Sequence, residues 1–452
     1  MSALEKAYDK CKKSDFDEIE VVSIKKKIIT VRITDSEIAE FKQINDENLG
    51  IRLVNKKRIS SLHTSITSNI DKDVEFAIKK IEKQKPRDFW QGFPSSRLPN
   101  RRDGIFDSKL EELTNEEIIE VTQEIIDLTQ NEKITSITGS LHIVIDNFQL
   151  KNSSNLEFSE KSSYISAFIN AESEMSSVPV SGIGFSNGRN FNSLNISQLA
   201  EDAQQMCIEN INPQKINFEN CSIIFQPYSV GELMAFVISS NFSKKFLDEK
   251  KSCFSNFHNQ EIAVNNFSLI DDPHIPNSLG TKYVDDEGVP TQKNVLVENG
   301  IFKNTFSNLL DACKGNSKST GNGIRQGNPL GRSSETNVVS SPHNLQILKG
   351  DSTVEDMIKN TKKGLLVNRL WYTYAVNPIK GDFSCTARSG IQIIENGQIT
   401  NPGKPVRIIH NLPTLFKNIS EIGKNQRNVI QWASIPSITP AIKVENMKIK
   451  PI

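Results

Sequence analysis

Residues 283–300 read YVDDEGVPTQKNVLVENG, and three more residues complete the run NVLVENGIFK that begins at Asn294. Asn299-Gly300 lies there between two arms of alternating apolar residues. That is a hairpin signal, because a two-residue type I′ turn needs positive φ at both central positions. The pattern recurs at 391–399, IQIIENGQI, with Asn396-Gly397 at its centre. Strands and turns therefore dominate the second half. Upstream, CSIIF at 221–225 reads as a strand and 229–240 as a helix. The acidic run Asp285-Asp286-Glu287-Gly288 lacks the alternating oxygen ligands and distal Glu of a calcium loop, so it reads as a solvated turn supporting a hairpin.

Outward from there, the first half mixes helix and strand. Residues 19–33, IEVVSIKKKIITVRI, are dense in Val and Ile and predict strand, turn, strand. A short helix is expected after Asp35, capped by Asp35 or Ser36. Residues 45–50 read as turn material, and 51–60 as a hairpin around Asn55-Lys56. Val74, Ala77, Ile78 and Ile81 predict a helix over 71–83, and the stretch 86–107, rich in Pro, Arg, Gly and Ser, predicts a long loop. Thr114 and Glu117 form a capping-box pair, with Ile118, Val121, Ile125 and Leu128 on one side of the helix that follows. Strands are expected over 134–148 and 164–185, then a helix over 193–210. Periodicity restarts after Pro213, where a domain boundary is expected.

The chain of 452 residues has length enough for two or three domains. Its 54 Lys and Arg balance 54 Asp and Glu, which argues against nucleic acid as the main partner. The small basic runs 25–27, 56–58 and 101–102 read as solvated faces. Apolar stretches such as 221–225 and 233–238 fall far short of the roughly 20 residues a spanning helix needs, so no membrane partner is expected. The N-terminus has no apolar core of a secretory signal. Six cysteines without a CxxC pair fit reduced thiols in the cytoplasm.

No two of the six histidines lie within ten residues of each other, so a local zinc motif is absent. Gly184-Phe185-Ser186-Asn187-Gly188 matches the nucleophile-elbow pattern, but polar residues follow it where a helix should begin, and a structural turn is the reading preferred. Gly321-Asn322-Gly323 has the wrong spacing for a dinucleotide cradle and reads as a flexible polar loop. Cys385 has no histidine near it in sequence to activate it as a nucleophile.

Taken in order, YVDDEGVPTQKNVLVENG (283–300), STGNGIR (319–325), GLLVNRLW (364–371), NPIKGDFSCTARSG (377–390) and IQIIENGQI (391–399) resemble the TldD/PmbA family. The resemblance extends over 220–446 and is matched only in outline before that. It implies an α+β protein of two domains, an α/β half over 1–212 and a β-rich half over 213–452. It further implies a cytoplasmic dimer acting on unfolded or modified peptides. TldD-type chains carry His-Glu-x-x-x-His on the helix after the first strand of the second half, with a cysteine near the C-terminus. Here that helix reads YSVGELMAFVISS (228–240), without histidine, and 424–452 contains no cysteine. The chain thus resembles the TldE/PmbA branch, which implies no catalytic and no metal residue, with zinc expected only in a TldD-like partner. Glu232, the one carboxylate on the helix, has no ligand set beside it for general-base work. The motif residues Asp285, Asp286, Glu287, Gly381, Asp382, Phe383 and Ser384 are the candidates to line a substrate cavity, with turn-building as the other reading of them. A stand-alone peptidase or hydrolase using Ser186 or a cation at 285–287, and a self-associating peptide-binding scaffold, are the alternatives.

Overall fold

Six strands, β1 (Glu18–Thr34), β2 (Glu37–Asn55), β3 (Arg58–Ser65), β4 (Ser136–Asn152), β5 (Glu157–Ser173) and β6 (Val180–Gly188), form one antiparallel sheet of order β3-β2-β1-β4-β5-β6. The computed structural model describes residues 2–65, 70–95, 98–99, 103–176, 178–431 and 435–452; Arg101 and Arg102 of the third basic run lie outside the described residues. One unbroken strand replaces the strand, turn and strand expected over 19–33, and β2 passes straight through 45–50. Both edges of β1 are paired, by β2 and by β4, so the polar lysines leave no backbone group unsatisfied. Nor are those lysines all on a solvated face: Lys26 is buried and its Nζ donates to Leu330 O at 2.8 Å. Asp35 and Ser36 cap no helix. They are the two-residue turn joining β1 to β2, with φ of 51° and 64°, as a tight hairpin requires.

One face of this sheet is covered by helices. Leu4 and Ala7 of α1 (Ala3–Lys12) and Val74 and Ile81 of α2 (Ile70–Ile81) pack on Val21, Ile51 and Leu53. Further along, α3 (Ser108–Glu112), α4 (Asn115–Thr129) and α5 (Ile196–Glu209) cover Val31, Leu141, Ile143 and Ile169. The capping box forms, Glu117 N donating to Thr114 Oγ1 at 3.2 Å and Thr114 N to Glu117 Oε2 at 2.8 Å. The buried stripe of α4 is rotated from the expected one, running through Ile118, Thr122, Ile125, Ile126 and Thr129 while Leu128 is exposed. Thr122 and Thr129 bury without an unpaired hydroxyl, since each donates to a carbonyl four residues back, at 2.8 and 2.7 Å.

The second half builds an eleven-stranded sheet and a two-stranded ribbon. Its strands are β7 (Asn220–Phe225), β8 (Leu269–Asp271), β9 (Asn294–Glu298), β10 (Ile301–Phe302), β11 (Gly323–Ile324), β12 (Val339–Ser340), β13 (Leu345–Ile347), β14 (Lys363–Asn377), β15 (Asp382–Glu395), β16 (Gln398–Pro402), β17 (Val406–Asn411), β18 (Ile419–Val429) and β19 (Ser437–Pro451). The Asn-Gly hairpins stand where expected, joining β9 to β10 and β15 to β16, with φ of 50° and 79° and of 49° and 80°. What the sequence does not announce is closure. β19 pairs with both β17 and β7, so β7, β14, β15, β17 and β19 close into a ring. Apolar side chains of those strands, among them Ile223, Val367, Phe383, Ile408 and Met447, belong to the largest core of the molecule. Among the described residues, no helix is long and apolar enough to cross a membrane.

Candidate functional site

The acidic run lies in the core between the two halves, not on a solvated turn: Asp285, Asp286 and Glu287 are all fully buried. Cations from distant parts of the chain explain this. Arg52 on β2 makes a two-pronged pair with Glu20 at 2.7 Å and reaches Glu287 Oε1 at 2.8 Å. Arg332 bridges Asp286 and Glu160 at 2.6 Å each, and Lys282 Nζ donates to Asp286 at 2.9 Å. Arg325 donates from its backbone N–H to Asp286 Oδ2 at 2.7 Å and from its side chain to Glu20. Asp285 accepts from three backbone N–H groups, those of Glu287, Val289 and Gly323. Burial, and then the Glu287 carboxylate beside it, nonetheless push Asp285 upward. Two motifs that are separate words in the sequence, 285–287 and 319–325, are thus each other's partners.

Gly321-Asn322-Gly323 is accordingly no flexible polar loop. All three residues are buried, and a Cβ at Gly323 would stand 2.6 Å from Glu287 Oε2 and 2.9 Å from Asp285 Oδ2. The run 285–287 lines no open cavity, because every carboxylate is enclosed by its partners. A second group of motif residues, 381–384, closes the β14–β15 hairpin elsewhere in the fold. Gly381 takes φ of 81°, Asp382 accepts from Asn411 Nδ2 at 2.9 Å, Phe383 enters the barrel core, and Ser384 Oγ accepts from Arg407 Nε at 2.7 Å. These are turn-building roles. Ser186, for its part, is within β6, its Oγ accepting from Asn195 N at 2.9 Å and donating to Ser193 O at 3.0 Å, which fixes a turn and leaves no base beside it. Cys385 is fully buried in the barrel, and burial pushes its thiol up.

The helix after β7 does stand beside an unusual group. Where β7 stops, α6 (Pro227–Leu233) begins with proline in its first turn, passes into a π-helical turn over Met234–Ile238 and ends as a 3₁₀ turn at Ser239–Phe242. The segment packs against β14 and β19, and Gly231 brings it against Val429 of β18, where a Cβ would meet the valine at 2.6 Å. Glu232 is buried on it and accepts one hydrogen bond, from Thr373 Oγ1 of β14 at 2.8 Å. Burial pushes its carboxyl up to about 7, against that hydrogen bond and the nearby Arg369. The β14–β15 ladder is irregular at three places, two of which lie beside this group. Arg388 is an extra residue on β15 between the pairs Arg369–Ser389 and Leu370–Ala387, and Tyr372 on β14 has φ of 50°. Such bulges re-aim side chains. Here they gather Arg369 and Arg388 on Trp371, with guanidinium carbons 4.8 and 5.3 Å from its ring centre.

Nothing in the sequence reading singles out Arg369, Trp371, Thr373 or Arg388 as functional, although GLLVNRLW and CTARSG contain three of them. An arginine two residues before a tryptophan in a strand word was the available signal. As for metal, α6 and its continuation offer one carboxyl, held by a threonine, and neither imidazole nor thiolate. Among the described residues no three His, Cys, Asp or Glu side chains are grouped to hold a metal ion. This donor set does not fit zinc, which takes three or four such ligands.

With that geometry in hand, the comparisons with known proteins are decisive about class. The family model described as the PmbA/TldA metallopeptidase C-terminal domain matches residues 219–451, just over half the chain. The chain belongs to the TldD/PmbA family. Over 99% of its length it is similar in structure to TldE from Thermococcus kodakarensis, with 26% identity, a TM-score of 0.88 and all of that chain covered. A metalloprotease TldD homologue of Buchnera aphidicola is 34% identical over 158 residues, 33% of this chain and 29% of the relative. Metalloprotease PmbA of Escherichia coli O157:H7 is 29% identical over 174 residues, 38% of this chain and 34% of the relative. The chain thus matches about a third of the length of these two relatives, or less.

Proposed function

We propose that this protein is a metal-free, TldE/PmbA-like subunit that pairs with a TldD-like metallopeptidase in the cytoplasm and presents extended, unfolded or modified peptides to it. The observation that carries this reading is the chemistry of the helix over 227–242, where the only ionisable ligand is Glu232, bonded to Thr373 and pushed up towards neutrality. A metal-bound water could not be generated there without imidazole or thiolate ligands. The likeness to TldE supports the same assignment. A surface for the partner is offered by the β14–β15 hairpin beside the site, whose Tyr372, Val376 and Ile379 are 68%, 57% and 61% exposed. Three large apolar side chains gathered on one hairpin suit an interface better than open water. Sedimentation of the chain with a TldD-type protein carrying His-Glu-x-x-x-His tests the reading. One complex, with peptidase activity above that of the TldD-type chain alone, is the expected result. Separate sedimentation without any gain in activity would overturn it.

A further inference from the structure

The group on Trp371 is rich in donors and lacks acceptors. Neither Arg369 nor Arg388 donates to any acceptor or forms an ion pair among the described residues, although Arg52, Arg189, Arg325, Arg332, Arg407 and Arg427 all do. Trp371 adds a buried indole N–H that has no partner among the described residues. Among the described residues, Glu232 is the carboxyl that bears on Arg369. It acts on Arg369 through space, but its hydrogen bond comes from Thr373, and it makes no ion pair with the guanidinium. Arg369 instead lies over two aromatic rings, those of Trp371 at 4.8 Å and Phe168 of β5 at 5.8 Å. An arginine stacked in this way keeps its N–H edge free for a planar, two-oxygen partner.

The backbone has been shaped to build this group. Arg388 owes its direction to the bulge in β15, and Tyr372, an aromatic residue in the left-handed region, marks the bulge in β14 on the other side of Trp371. Arg388 also borders a cleft of about 520 Å³ between β6 and β15, lined by Ser181, Asn210, Ser389 and Lys404. Its described lining carries two basic side chains, Arg388 and Lys404, and one acidic side chain, Glu172.

We propose that Arg369 and Arg388, stacked on Trp371, bind a carboxylate of the peptide that this subunit presents. The inference rests on the peptide-presenting role above and names the group of the substrate that is recognised there. A carboxylate supplies the acceptor oxygens that the two guanidinium groups lack. Its source is the C-terminus of the peptide or an acidic side chain, and the two share one chemistry at this site.

The test uses three fluorescein-labelled heptapeptides of alternating Ala and Leu and the full chain, alone and with its TldD-type partner. The first has a free C-terminal carboxylate, the second a C-terminal amide, and the third an amide with one internal Glu. Anisotropy should rise for the first or the third at a concentration about tenfold or more below that needed for the plain amide, the range expected for hydrogen bonds to a charged group. Preference for the first assigns the C-terminus, and preference for the third an acidic side chain. Arg388→Gln, at an exposed position, and Arg369→Gln should each bring the preferred peptide to the affinity of the plain amide while leaving the amide unchanged. Equal binding of all three peptides by the wild type, or a preference that survives both substitutions, would overturn the inference and leave the presenting role standing. If none of the three binds either the chain or the complex, the presenting role falls and the inference with it.

Discussion

Two clusters of charge in this molecule follow opposite rules. Between the halves, Arg52, Arg325, Arg332 and Lys282 enclose Glu20, Glu160, Asp286 and Glu287, and each of these cations meets a carboxylate at close range. Beside α6, among the described residues, two arginines and an indole N–H hydrogen-bond to no acceptor, and one carboxyl is buried with a threonine as its hydrogen-bond donor. In the first cluster every cation is paired with a carboxylate of the chain itself, and the cluster acts as a structural joint. The second is complete only when something else is bound. Motif density in the sequence pointed to the first, whereas unmet hydrogen-bonding capacity points to the second.

The largest effect should come from breaking the joint. Asp286→Ala leaves Lys282 and Arg332 buried without their shared partner, and loss of one side of a buried pair costs about 3–5 kcal/mol. Urea denaturation should register a drop of that size in unfolding free energy, whereas a drop under about 1 kcal/mol would mean that the joint is not a stabilising structure.

The second cluster should respond to pH instead. In the folded state Glu232 holds a proton up to about pH 7, while in the unfolded chain it releases it near its ordinary value of 4.5. The folded state therefore binds more protons across that window, so the stability due to this group is full below about 4.5 and is lost as pH rises through about 7. Glu232→Gln keeps an acceptor for Thr373 and removes the charge. It should match the wild type in urea midpoint at pH 4.5 and exceed it at pH 8 by roughly 2–3 kcal/mol in unfolding free energy. A gap independent of pH would contradict the assignment.

Smaller effects sharpen the contrast. Gly323→Ala forces a methyl group against the pinned carboxylates of Asp285 and Glu287 and should destabilise by about 1–3 kcal/mol in thermal or urea unfolding. Leu128→Ser, on the exposed side of α4, should stay within about 0.5 kcal/mol of the wild type in the same measurement.

Local signals carried much of the fold. Asn-Gly turns, the capping box and the apolar spacing of α2 are decided within a few residues, and each appears where the sequence places it. Errors arose where a neighbour in space decides. Lys25 to Lys27 look like a turn until β2 and β4 flank them, and Thr122 and Thr129 look polar until their hydroxyls are paired within the helix. Closure of the barrel depends on β19, which follows β7 by more than two hundred residues and could not be read from either strand alone. The site was half legible for the same reason. Glu232 was singled out because its helix could be located by motif order. Arg369 and Arg388 gained meaning only when two bulges brought them onto one ring.

The central claim, that this family member contributes binding and not a metal centre, is tested most directly by elemental analysis. Zinc is measured in the purified chain alone and in its complex with a TldD-type partner. The account predicts zinc well below one atom per chain in the isolated protein and stoichiometric zinc in the complex, all of it leaving with the partner when the two are separated. One tightly held zinc atom per isolated chain would contradict it.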